Sequence, residues 1–426
     1  MPPTSRLPRQ LTRNTAIKLA SEFIGRAASF VLVILAARQL GEAGFGVYNY
    51  GLALGFVLAQ LADMGLQIVV SREVAVHGQG AQPLARMAFH LKVVLSLAVL
   101  GLLGVIALTQ PTPARPAILL LGLMQLSQTY LEFMAYIYRG QQRLWSEAWL
   151  LGGARVTTAV IGAIILWQGG DVWQLAAGSL LTVAAAAAVG AGRLRQEGWL
   201  RELGAGAEGG VAAYWFLLRQ AAPLGVAIFL SIAYTRSAVL LLQFRLGETA
   251  VAHFSAAARL VEPTQILPAS LLAAVFPAIS LAVAQNPRQA KLLGAQVSLL
   301  LGGCGLVLAG FFWLTAGWLA PWLYGAAYAP AVPVLQLLGL TIIPTFINYS
   351  LTHYLIARRQ QLYLGLFTAV MLGLHLLISW VLIARLGVIG PAISMLISEC
   401  FLLCACLSLL GHKMLGHKMN ANTTNK

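Results

Sequence analysis

Charge is what this chain has least of. Asp, Glu, Lys and Arg make up 10% of its 426 residues, against 59% hydrophobic. A water-soluble body of that size needs a polar surface that this composition cannot supply, so a soluble enzyme is excluded. Cysteine is also scarce. Cys304, Cys400, Cys404 and Cys406 sit inside apolar runs, with neither a disulfide framework nor zinc-ligand spacing, and read as small buried residues. His90, His253, His353 and His375 are scattered without metal spacing, and the GHKM repeat at 411–414 and 416–419 reads as a solvated basic end. There is no nucleotide-binding loop, no Ser/His/Asp grouping with supporting context, and no outer loop long enough for a catalytic platform. The expectation is therefore no enzyme, no metal and no cofactor.

Long apolar runs are what the chain does have. A hydrocarbon core roughly 30 Å thick takes about 20 mostly apolar residues per helix. Twelve stretches qualify: 14–37, 44–70, 86–109, 116–139, 144–167, 172–192, 214–243, 249–283, 291–319, 331–357, 361–384 and 387–410. The strands of a membrane barrel would alternate apolar and polar residues. The run Val93–Leu108, broken only by Ser96, is helical instead, and the fold class is all-α and polytopic. Met1–Arg13 has the basic character of a signal-peptide n-region, but the span after it is long and carries Glu22 and Arg26, so it reads as a retained first helix.

The net charge of +15 would invite nucleic acid as a partner, but its distribution points elsewhere. Eighteen Lys and Arg fall in loops on one side, including Arg139, Arg143, Arg193, Arg195, Arg358 and Arg359; the other side holds Arg38, Arg115, Arg245 and Arg385. Eighteen against four is the positive-inside pattern, which predicts both termini in the cytoplasm. The partners it implies are membrane lipids and no nucleic acid.

One sizeable polar break, Arg193–Gly210, divides the spans six and six. The predicted organisation is an N-terminal six-helix lobe (1–192), a cytoplasmic linker (193–213), a C-terminal six-helix lobe (214–412) and a cytoplasmic tail (413–426). The halves echo each other: Leu40-Gly41-Glu42 matches Leu246-Gly247-Glu248, and Tyr136–Trp145 matches Tyr354–Tyr363. An even number of spans per half makes this a parallel repeat about the membrane normal. Prolines separate the halves, with none inside the first six spans but Pro223, Pro263, Pro268, Pro277 and Pro344 inside later ones. Three in the eighth span predict a bent or broken helix.

Charges inside the spans are the functional candidates, since each costs about 2.5–3.5 kcal/mol or more unless paired or hydrated. The cations are Arg26, Lys92, Arg155, Arg219, Arg236 and Arg259; the acids are Glu22, Glu132, Glu262 and Glu399, joined by Asp63 unless the second span ends near Gly65. Lys92 and Arg219 lie near the cytoplasmic edge, where snorkelling accounts for them. Glu22 with Arg26 and Arg259 with Glu262 have the spacing of helical ion pairs. Glu132 and Arg155 lie on neighbouring spans at depths that can meet. Arg236 has no acid nearby in sequence. The set favours an aqueous cavity with a small positive excess, and arginine forks suit a phosphate. Trp145, Trp167, Trp173, Trp199, Trp215, Trp318 and Trp322 fall near span ends as an interfacial belt, and Gly51 and Gly55 make a helix-packing face.

Residues 13–75 also carry a resemblance, through Ala37-Arg38-Gln39-Leu40-Gly41, Gly46-Val47-Tyr48, Asp63-Met64-Gly65-Leu66 and Ser71-Arg72-Glu73. So do Pro277-Ala278-Ile279, Leu323-Tyr324-Gly325 and Gly387-Val388-Ile389-Gly390-Pro391-Ala392. The chain resembles Wzx-type flippases of the polysaccharide transporter family, within the multidrug, oligosaccharidyl-lipid and polysaccharide exporter superfamily. The resemblance implies two six-helix lobes around a cavity lined by spans 1, 2, 7 and 8, in a bacterial inner membrane. It implies polyprenyl-pyrophosphate-linked oligosaccharide as cargo and puts Arg26, Arg236 and Arg259 on cavity-lining spans; from the in-span charges, these three and Arg155 are the expected substrate-binding residues, with Glu22, Glu262, Asp63 and Glu132 as coupling or paired acids. Polymerase and chain-length proteins of the same pathway are the partners it implies. Relatives often carry an acid midway along span 7, where this chain reads Ile232-Ala233-Tyr234-Thr235-Arg236. A multidrug or metabolite antiporter coupled to cations is the alternative; it needs an uncompensated acid, for which Asp63, Glu262 and Glu399 are the candidates.

Overall fold

Backbone N–H and C=O groups find no water inside a bilayer, so apolar runs of this length must satisfy them internally, as helices do. In the computed structural model, which describes residues 6–200 and 210–423, the described residues are helical apart from short turns. The first half contains α1 (Arg6–Gln39), α2 (Gly41–Asp63), α3 (Leu66–His77), α4 (Gln82–Leu108), α5 (Arg115–Gly140), α6 (Leu144–Trp167) and α7 (Val172–Gln196). The second contains α8 (Gly210–Leu246), α9 (Glu248–Val261), α10 (Ile266–Gln285), α11 (Pro287–Tyr324), α12 (Ala331–Ala357), α13 (Gln361–Leu386) and α14 (Gly390–Thr423). Eleven continuous stretches among the described residues are long and apolar enough to cross a membrane. The last of them, Leu362–Leu410, folds as two helices, α13 and α14, that turn over at Gly387–Ile389. Divided there, the described residues hold twelve stretches of spanning length. Linker residues 201–209, the termini at 1–5 and 424–426, and the side chains of the basic tail lie outside the described residues.

Two spans are broken, for different reasons. The eighth divides into α9 and α10 around a 3-10 turn at Glu262–Gln265. Pro263 there lacks the N–H that the helix needs, as the sequence predicts. Pro223, Pro277 and Pro344 are instead carried inside α8, α10 and α12. The second span, drawn at 44–70 with an alternative end near Gly65, stops at Asp63. Met64 (φ 44°) and Gly65 (φ 82°) are both left-handed and turn the chain into α3.

The internal echo has a backbone cause. In both Leu-Gly-Glu triplets the glycine is left-handed, Gly41 at φ 66° and Gly247 at φ 81°, and it sits at the tight turn from one helix into the next. Gln142 and Arg359, each two residues past the end of α5 or α12, are likewise left-handed at φ 58°. Capping is local: Asp171 and Gln174 form a capping box at α7, and Asn286 accepts from the amides of Arg288 and Gln289 at α11.

The chain divides into two compact units, Met1–Arg236 and Ser237–Lys426, so the boundary falls inside α8. In the first, α5 is the central helix, packed by α2, α3, α4, α6 and α7. In the second, α12 holds that place, packed by α9, α10, α11 and α14. Each is the fourth span of its half.

Candidate functional site

Helices α1 and α6 approach closely in the first unit because glycines remove the side chains between them. A Cβ on Gly152 would overlap the Ser21 hydroxyl, which donates to the Ala148 carbonyl at 2.8 Å. A Cβ on Gly25 would lie 3.2 Å from Cδ of Arg155. Where α5 joins this pair, a cavity of about 200 Å³ opens, lined by Glu22, Glu132, Tyr136, Glu147 and Arg155 among others. Three residues singled out from sequence, Glu22, Glu132 and Arg155, therefore share one cavity.

Glu147 anchors its wall. The side chain is 1% exposed, and its Oε1 takes Lys18 at 3.2 Å and Arg139 Nε at 2.9 Å, with a second Arg139 nitrogen on the same oxygen. Its Oε2 is buried with no hydrogen-bond partner. Arg139 also lies 4.0 Å from the Tyr136 ring centroid. Sequence reasoning passed over Glu147, although it is an acid inside an assigned span, and left Arg139 to a loop. Glu132 accepts from Gln128 Nε2 at 3.1 Å and lies within range of the charges of Lys92, Asp63 and Arg155. Among the described residues Arg155 makes no ion pair within 4 Å and no hydrogen bond. Lys18, Arg139 and Arg155 stand against Glu22, Glu132 and Glu147, so the cavity is balanced in charge.

Asp63 and Lys92 form a second group. Lys92 Nζ donates to Asp63 Oδ1 at 2.6 Å, with the two side chains 0% and 1% exposed. Snorkelling is thus the wrong account of Lys92: it points inward, 5.5 Å from the Tyr130 ring centroid and 5.9 Å from that of Phe133. The Tyr130 hydroxyl in turn bonds Ser96 Oγ at 2.9 Å.

The remaining candidates are placed separately. Arg26 and Glu22 are 4.0 Å apart with side chains 56% and 44% exposed, a long and solvent-screened pair. Arg259 meets Glu262 at 3.2 Å, at the corner where α9 gives way to the 3-10 turn. Arg236 is half-buried in α8, its guanidinium 5.6 Å from the Phe56 ring centroid. In the second unit Glu399 is buried and accepts from Asn348 Nδ2 at 2.8 Å. Among the described residues no three His, Cys, Asp or Glu side chains converge as metal ligands. Trp145, Trp167, Trp173, Trp215, Trp318 and Trp322 are exposed as a belt requires, but Trp199 is buried.

The fold is that of a class of membrane transporters. An inward-facing multidrug resistance MATE family transporter of the MOP superfamily superposes with a TM-score of 0.75 at 14% identity, covering 94% of this chain and 98% of its own. The lipid II flippase MurJ, in an inward closed conformation, gives 0.72 at 12% identity, covering 93% and 87%. An outward-facing MATE transporter gives 0.65 at 15% identity, with 95% of both chains covered. No curated protein matches the sequence. Residues 11–283 match the polysaccharide biosynthesis protein family, and the chain belongs to that family.

Proposed function

We propose that this protein is a flippase that moves a polyprenyl-pyrophosphate-linked oligosaccharide from the cytoplasmic to the outer leaflet of a bacterial inner membrane, for surface or exopolysaccharide assembly. The observation that carries this reading is membership of a polysaccharide biosynthesis family by a chain with a transporter fold. Pyrophosphate and sugar hydroxyls cannot cross hydrocarbon unaided, because each unsatisfied polar group there costs several kcal/mol. Arginines within the spans, Arg26 and Arg236 in the first unit and Arg259 in the second, replace their water while the lipid tail stays in the bilayer, and alternating access carries the head group across. Arginine suits this task because its planar fork grips phosphate oxygens two at a time. An inside-negative potential assists outward movement of net negative charge by about 2.3 kcal/mol per charge per 100 mV.

The antiporter reading needs an acid that can exchange cations. Asp63 is held by Lys92 at 2.6 Å, Glu262 by Arg259 at 3.2 Å, and Glu399 by the Asn348 amide at 2.8 Å, which favours the flippase. A deletion strain tests the choice. The flippase predicts lipid-linked precursor stalled on the cytoplasmic face and loss of surface polymer. Normal polymer with an altered drug-resistance profile would overturn it.

A further inference from the structure

The cavity between α1, α5 and α6 holds more hydrogen-bonding capacity than its own walls use. The cations that reach Glu147 are both on Oε1, and Oε2 is buried and unmatched. Arg155 has five N–H donors and, among the described residues, spends none of them. Glu132 accepts from Gln128 through Oε1. Donors and acceptors thus line one space of about 200 Å³ whose charged side chains sum to zero.

That balance selects the occupant. Pyrophosphate would meet three carboxylates and gain no net attraction. A simple cation would meet Arg155. A neutral ligand that both donates and accepts satisfies the two sides together, and a ring of hydroxyls has that character. A cavity of about 150 Å³ takes a benzene ring, so a space of about 200 Å³ suits one sugar ring rather than a chain. Glu22, 44% exposed and lining the cavity, marks where it reaches the surface of the unit.

We propose that this cavity is a subsite for a single neutral sugar residue of the translocated head group. Glu132 and Glu147 Oε2 accept from its hydroxyls, and Arg155 donates to its oxygens. The proposal rests on the flippase reading and adds where one sugar is held. It also separates two tasks: arginines elsewhere take the pyrophosphate, and this balanced cavity reads the sugar.

The test uses the full-length protein in lipid nanodiscs and two kinds of probe. One is bare polyprenyl pyrophosphate; the other is the same lipid carrying one neutral hexose or one N-acetylhexosamine. The wild-type protein is expected to bind at least one sugar-bearing probe roughly ten-fold more tightly than the bare lipid, the worth of one or two hydrogen bonds. Glu132→Gln, and separately Leu151→Trp, which fills the cavity without touching a charge, are expected to erase that preference and leave affinity for the bare lipid unchanged. Thermal unfolding of each variant verifies that it folds. Folded variants that keep the full preference would overturn the subsite, and so would a wild-type protein that binds bare and sugar-bearing lipids equally, as a cavity filled by water alone requires. A wild-type protein that binds none of the probes would instead defeat the flippase reading.

Discussion

Gly225 of α8 crosses Gly65 backbone to backbone: a Cβ on Gly65 would lie 2.9 Å from the Gly225 amide nitrogen, and one on Gly225 would overlap the Met64 carbonyl. The crossing belongs to a longer seam. Tyr214, Gly225 and Arg236 are spaced at eleven residues, about three turns, so they share one face of α8. Along that face Tyr214 bonds His90 Nδ1 at 3.3 Å, Gly225 meets the α2–α3 corner, and Arg236 sits over Phe56 at 5.6 Å. Gly225→Leu is expected to force the seam apart, since overpacking a tight contact costs about 1–3 kcal/mol. The measurement is a lowered unfolding midpoint with reduced precursor export. A variant with wild-type stability and export would show that the corner yields freely.

The Asp63–Lys92 pair is expected to behave as a buried ion pair does. Breaking one side, by Lys92→Met or Asp63→Asn, leaves a charge in apolar surroundings and costs about 3–5 kcal/mol. Replacing both, as Asp63→Leu with Lys92→Met, is expected to recover most of that loss. Chemical or thermal unfolding of the two single variants and the double variant measures the coupling. Independent, additive losses would mean that the carboxylate and ammonium do not depend on each other despite their 2.6 Å separation.

Glu147 makes a sharper case, because one carboxylate oxygen serves both Lys18 and Arg139. Glu147→Gln retains the shape but leaves those two cations facing each other across a neutral amide. A destabilisation of about 2–4 kcal/mol is expected, larger than for Glu22→Gln, whose partner Arg26 is 4.0 Å away and exposed. Comparing the two unfolding midpoints under identical conditions checks the ranking; equal midpoints would remove Glu147 from its structural role.

What the sequence made legible follows from the range of each signal. Apolar runs of about 20 residues marked the spans because the bilayer imposes that length on any helix crossing it. Pro263 announced its break, since the missing N–H is a property of one residue. The α2–α3 corner was legible only as an alternative end near Gly65: Asp63-Met64-Gly65 is followed at once by the mostly apolar Leu66–Val70, and hydropathy does not register left-handed backbone. Lys92 was misread for a related reason. Its nearness to a span edge was visible, but its partner Asp63 lies 29 residues away and meets it only through the packing of α2 and α4. The cavity was half visible. Glu22, Glu132 and Arg155 stood out as charges within spans, whereas the compensation by Lys18, Arg139 and Glu147 exists only once α1, α5 and α6 are together.

Arg236 carries the clearest functional prediction. Its guanidinium lies 5.6 Å from the Phe56 ring centroid, a contact worth about 0.5–2 kcal/mol that helps to hold the side chain in place. Since Arg236 is the proposed phosphate-gripping arginine of α8, Arg236→Ala is expected to leave the unfolding midpoint within a few degrees of wild type and yet to make lipid-linked precursor accumulate on the cytoplasmic face. Arg236→Lys retains the charge but not the planar fork, and intermediate export is expected. Phe56→Leu should resemble Arg236→Lys, because the charge remains while its support is lost, and Phe56→Tyr should restore export. Unchanged polymer export in Arg236→Ala would reject this role, and full export in Phe56→Leu would reject the support.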